Sequence, residues 1–111
     1  MRNNYITLSL AGRDYRLKPS FQAIMDMEER LGGVIALAIK ASEGDIGLKD
    51  LTVVVWATME ERLPFAEVGE LLLEAGLSHV TPAVRDLLSL CLSGGKEMAP
   101  APGKPDRGQG V

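Results

Sequence analysis

Residues 5–31, YITLSLAGRDYRLKPSFQAIMDMEERL, alternate apolar and polar side chains around a glycine, then change to helical spacing after Pro19-Ser20. That change of period constrains the chain more than any other feature, because period two belongs to a strand and period 3.6 to a helix. With Gly12-Arg13 as a two-residue loop, Gly12 supplies the positive φ that a type II′ turn needs at its first central position. This register pairs Leu10 with Tyr15 and Leu8 with Leu17 on one face, extended by Ile6. Thr7, Ser9, Arg16 and Lys18 fall on the other face, and a one-residue slip would scramble the division. A lone two-stranded ribbon is marginal in water, so its apolar face must lie on helices. Its outer edges can serve as docking rails for a partner strand, although most edges only cap a core.

Ser20 is a good N-cap for the first helix, with Phe21, Ile24, Met25, Glu28 and Leu31 along one side and Gly32-Gly33 as its stop. Residues 34–42 form a short helix, and 43–47 (EGDIG) a loop. The next segment is two-sided. Thr52–Trp56 favours a strand locally, yet Leu48, Leu51, Val55, Met59 and Leu63 recur at helical spacing, which assigns a helix to Leu48–Leu63. Pro64 opens a fourth helix ending at Gly76, with Phe65, Val68, Leu71, Leu72 and Ala75 inward. Thr81-Pro82 reads as the N-cap and first residue of the last helix, which carries Val84, Leu87, Leu88 and Cys91 on one side. The expected fold is α+β and mostly helical, a two-stranded antiparallel hairpin followed by about five short helices. Residues 1–93 form the compact domain, and 94–111 (GGKEMAPAPGKPDRGQGV) are too poor in apolar side chains to offset the entropy of ordering.

Bulk properties narrow the function by exclusion. A chain of 111 residues supports one domain with a modest core. Its net charge of −3 argues against a life on nucleic acid phosphates. The Phe65–Leu92 pair of helices superficially suggests a helix-turn-helix, but the second helix offers base edges little beyond Arg85, and Glu67, Glu70 and Glu74 on the first would repel phosphate. No apolar run approaches the length that spans a bilayer, and nothing at the start resembles a signal peptide, so the expected location is the cytoplasm. Cys91 is the single cysteine and sits in an apolar helix, as a buried small hydrophobe does.

The search for chemistry comes back nearly empty. His79 and Cys91 are the only soft metal ligands and fall on opposite sides of a helix start, which does not make a zinc site. Glu43, Asp45 and Asp50 lack the spacing of a calcium loop. With no phosphate-binding glycine motif and no nucleophile–base pairing, the expectation is a non-enzyme without cofactor or metal. Two features remain for binding. Glu67, Glu70 and Glu74 share one helix face with no Lys or Arg in that helix, either a solvated face or a dock for a basic helical partner. Trp56 falls off the Leu51–Val55–Met59 stripe and either broadens the core or sits partly exposed as an interface anchor.

A hairpin with GRDYRL at its turn, followed by a helix carrying MEERLGG, resembles the small tail-assembly proteins of long-tailed phages and gene transfer agents. In particular it is similar to the tail assembly chaperone family found among gene-transfer-agent genes. The matching positions are Gly12, Tyr15, Leu17, Glu28, Leu31 and Gly32, then Leu48, Leu51, Trp56 and Ala57, and the likeness spans roughly residues 5–93. The resemblance implies a non-enzymatic chaperone in the bacterial host cell that holds the tape measure protein soluble during tail assembly. Its partners would be that protein, other tail proteins or further copies of itself. The alternatives are a structural tail component, since relatives are also described as tail tube proteins, and a small regulatory protein-binding module. The resemblance also implies a longer frameshifted product, with Gly94-Gly95-Lys96 as the place where slippery codons would lie.

Truncation after Gly94 is expected to leave the melting temperature nearly unchanged, because the removed segment has almost no apolar area to bury. A thermal denaturation midpoint lower by many degrees would show that Met98 or its neighbours dock on the core.

Overall fold

A computed structural model describes residues 5–93. Strands β1 (Ile6–Leu10) and β2 (Arg13–Leu17) form the hairpin, followed by α1 (Phe21–Leu31), α2 (Val34–Ser42), α3 (Leu48–Thr58), α4 (Phe65–Ala75) and α5 (Leu77–Leu92). This is the expected α+β, mostly helical architecture. The tail and the Gly94-Gly95-Lys96 junction lie outside the described residues.

The hairpin turns one residue earlier than the pattern suggested. Leu10 pairs with Arg13, Leu8 with Tyr15 and Ile6 with Leu17, so the loop is Ala11-Gly12. Both loop residues have positive φ, 52° and 79°, which is the type I′ signature rather than II′. Moving the loop by one residue shifts the pairing by two, and a two-residue shift preserves faces. Leu8, Leu10, Tyr15 and Leu17 therefore remain together and buried, while Thr7, Ser9, Arg16 and Lys18 remain exposed.

Helix α3 is the axis of the molecule. Leu51–Val55, Ala57 and Thr58 are all buried, with α1, α4, α5 and β2 packed around them. The β-branched run costs only a few tenths of a kcal/mol per residue in helix propensity, against about 1.5–3 kcal/mol for burying each valine. Burial wins. The two buried threonines are satisfied within the helix, Thr52 Oγ1 donating to Leu48 C=O and Thr58 Oγ1 to Val54 C=O, each at 2.7 Å. The helix ends at Thr58, five residues before the expected Leu63, because Met59 turns extended and pairs with Leu17. Lys18 N–H donates to Thr58 C=O at 2.7 Å and Glu60 N–H to Arg16 C=O at 2.9 Å.

Two helix faces also differ from expectation. Ser20 caps α1 as expected, its Oγ accepting from Ala23 N–H at 3.1 Å. Yet α1 buries Ala23 and Met27, and leaves Phe21 79% and Met25 46% exposed. Period alone places both stripes on plausible faces, and docking on α3 chooses between them. Helix α5 starts at Leu77, so Pro82 lies inside it instead of at its start. Its missing N–H leaves no donor for Ser78 C=O. The extra first turn is held by tertiary contacts, with Val80 fully buried and the His79 ring on Ser9 of β1. In α4, Val68 and Leu72 are buried as expected, but Phe65 is 42% exposed.

Ala11 occupies a left-handed conformation that costs a residue with a Cβ about 1–2 kcal/mol, and Asn-Gly is the preferred type I′ pair. Ala11→Asn is expected to stabilise the fold by about 1 kcal/mol, raising the melting temperature by about 4–8 °C. An unchanged or lower midpoint in a thermal melt would contradict the turn assignment.

Candidate functional site

The acidic stripe survives folding intact. Glu67, Glu70 and Glu74 are all exposed on the side of α4 opposite the buried Val68 and Leu72. None of the three has an ion-pair partner among the described residues, where the salt bridges are Arg13–Glu61 and Lys40–Asp50. From Glu67 to Glu74 the stripe runs about 10 Å along the helix axis. Glu67, in the first turn, is favoured by the helix N-terminus, while Glu70 and Glu74 repel each other at i,i+4. Leu73, 58% exposed, lies on the same outer side.

Trp56, on α3, packs at the N-terminal end of α4. It is half-buried, its ring edge-on to Phe65 at the start of α4 with centroids 5.7 Å apart. The Arg30 guanidinium lies over the indole, 4.8 Å from its centroid. Trp56 thus packs partly against the core, and its remainder forms a corner with Phe65 and Arg30. The structure brings Trp56 and Glu67 to one end of α4, and leaves Glu74 at the other. Arg30, Phe65 and Leu73 carry no local sequence signal of this arrangement. Arg30 and Trp56 are far apart in sequence, and Phe65 looks like any core residue at helical spacing.

Most of the family-like motif proves to be joinery. Glu28 Oε2 accepts from Val34 N–H at 3.1 Å, capping α2, whose N-cap Gly33 has no side chain to do so. Gly32 ends α1 with φ 95°, and its N–H donates to Glu28 C=O at 2.9 Å. Glu28, Leu31 and Gly32 together form the hinge between α1 and α2. Of the acids around the 43–47 loop, Asp50 is committed: its Oδ2 accepts from Gly47 N–H and pairs with Lys40 at 3.2 Å.

A cleft of about 300 Å³ opens between α1 and the 57–62 segment, with Lys18, Asp26, Glu60 and Arg62 in its rim. Both hydroxyls in its lining are occupied, Ser20 in capping α1 and Thr58 in donating to Val54 C=O. Among the described residues no three His, Cys, Asp or Glu side chains gather as metal ligands. Cys91 is partly buried, and desolvation pushes its thiol up to about 11, outweighing its backbone hydrogen bond, so it is protonated at neutral pH. No helix among the described residues is long and apolar enough to cross a membrane.

The family model that matches residues 4–94 is described as "Phage tail tube protein, GTA-gp10". No curated protein and no solved structure matches the chain. The match upholds the kinship with phage and gene-transfer-agent tails. It overturns the expectation of a tail assembly chaperone acting on the tape measure protein, because the family it identifies is described by the structural role that stood as the alternative. Spanning the whole described fold, the match places this chain in the phage tail tube protein family of the gene-transfer-agent type.

Proposed function

We propose that this protein is a structural component of a phage-like or gene-transfer-agent tail, non-enzymatic, made in the host cytoplasm and acting through contacts with other tail proteins. The observation that carries this reading is the family match over residues 4–94, which takes in the hairpin and all five helices. The surface is consistent with a role in binding. The outer face of α4 keeps three unpaired carboxylates that a merely solvated helix could relieve with one lysine. The Arg30–Trp56–Phe65 corner has the aromatic and arginine composition typical of interface anchors. In this reading α4 meets a basic surface of a neighbouring tail protein, with Trp56 and Phe65 at the apolar end of the contact.

The direct test is composition. Purified tails or particles should retain the protein in stoichiometric amounts alongside other tail proteins. Its absence from mature particles, while being required for their assembly, would defeat the structural reading.

Glu70→Lys provides a second test that separates fold from contact. It replaces repulsion with Glu67 and Glu74 by attraction, and should stabilise the isolated domain by about 0.5 kcal/mol. Incorporation into particles should nonetheless fall, most at low salt. Normal incorporation of a Glu70→Lys/Glu74→Lys protein would reduce the stripe to a solvated face.

A further inference from the structure

The two edges of the hairpin are in different states. On β2 the outward groups are used, since Arg16 C=O accepts from Glu60 N–H and Lys18 N–H donates to Thr58 C=O. Those outward groups belong to even-numbered residues, so Arg13, Tyr15 and Leu17 face β1. Their partners Leu10, Leu8 and Ile6 face back, which turns the backbone groups of Thr7 and Ser9 outward. Ser9 C=O accepts from His79 Nε2–H at 2.9 Å. Thr7 N–H, Thr7 C=O and Ser9 N–H have no partner among the described residues. Both side chains are exposed, and β1 (ITLSL) has no charge, proline or bulge to discourage pairing.

We propose that β1 pairs antiparallel with β1 of a second copy of this chain, across a two-fold axis at Thr7, to make one four-stranded sheet. The inference rests on this edge and not on the tail reading. In that register the two Thr7 residues exchange N–H···O=C bonds, and each Ser9 N–H reaches the C=O of Tyr5 of the partner subunit. Ser9 C=O keeps a second lone pair beside His79 for the returning Tyr5 N–H. The threonine side chains stand opposite one another on the outer face, a favourable cross-strand pair. On the inner face half-buried Ile6 is the apolar side chain left nearest the axis, since Leu8 is already covered by its own subunit. A strand without charges places no like charges at the axis, and an isologous contact of this kind closes on itself. The chain's own residues 99–105 (APAPGKP) are a poor occupant, since alternate prolines cannot donate to a ladder.

The experiment is sedimentation velocity on the full chain from micromolar to millimolar concentration, with amide hydrogen exchange. The wild type should dimerise, and the Thr7 and Ser9 amides should gain protection as concentration rises. Thr7→Lys and Thr7→Glu alter an exposed side chain and leave the hairpin ladder intact, which a thermal melt checks. Each should weaken the dimer about tenfold or more by opposing like charges, and an equimolar mixture of the two should restore it. A wild type that stays monomeric throughout overturns the proposal. So does a dimer that both charged variants leave unchanged, or a β1 edge protected only when another tail protein is added.

Discussion

Three residues leaving a helix hold this molecule together. At Thr58 the chain abandons α3, and through Glu60 it runs as an extended segment against β2, with Met59 opposite Leu17. A two-stranded ribbon gains too little from its own ladder to persist in water. Here its second strand is bonded on both sides, and its apolar face is closed by the helices that surround α3. The same segment decides which edge of the sheet is satisfied. It also sets the exit toward Leu63-Pro64 that delivers Phe65 to Trp56.

Around that anchor the sequence motif divides into roles. Gly12, Tyr15, Leu17, Leu51 and Ala57 serve the turn and the core, and Glu28 with Gly32 joins two helices. Among the motif residues, Trp56 alone is both half-buried and bordered by exposed partners, Arg30 and Phe65. A motif built mostly of joints identifies a fold family well and a mechanism poorly. That is why the resemblance led correctly to tail proteins and wrongly to the chaperone role within them.

The outer face of α4 is a surface whose charge the fold does not neutralise. Some acids are put to structural use: Glu28 caps α2, Asp50 caps α3, and Glu61 pairs with Arg13. On α4 three glutamates remain without such use, repelling one another beside exposed Leu73. Helical self-repulsion of a few tenths of a kcal/mol per pair is small. It is nevertheless a cost that a charge change on the solvent side would remove.

The sequence by itself determined the order and kind of elements, most of the core face of the hairpin, the caps at Ser20, Gly32 and Gly76, and the clustering of Glu67, Glu70 and Glu74 on one face. All of these depend on neighbours within a few positions, where period and turn chemistry act directly. Tertiary structure decided the rest. It chose type I′ at Ala11-Gly12, since a shift of two in register preserves the faces and leaves the pattern silent. It ended α3 at Thr58 by offering Met59 a strand partner, and carried α5 back to Leu77 past Pro82 by burying Val80. It turned Phe21 and Met25 to solvent, and set Arg30 over Trp56 from another helix. Each of these outcomes depends on a contact between residues distant in the chain, whose free energy outweighs a local preference of about 1 kcal/mol.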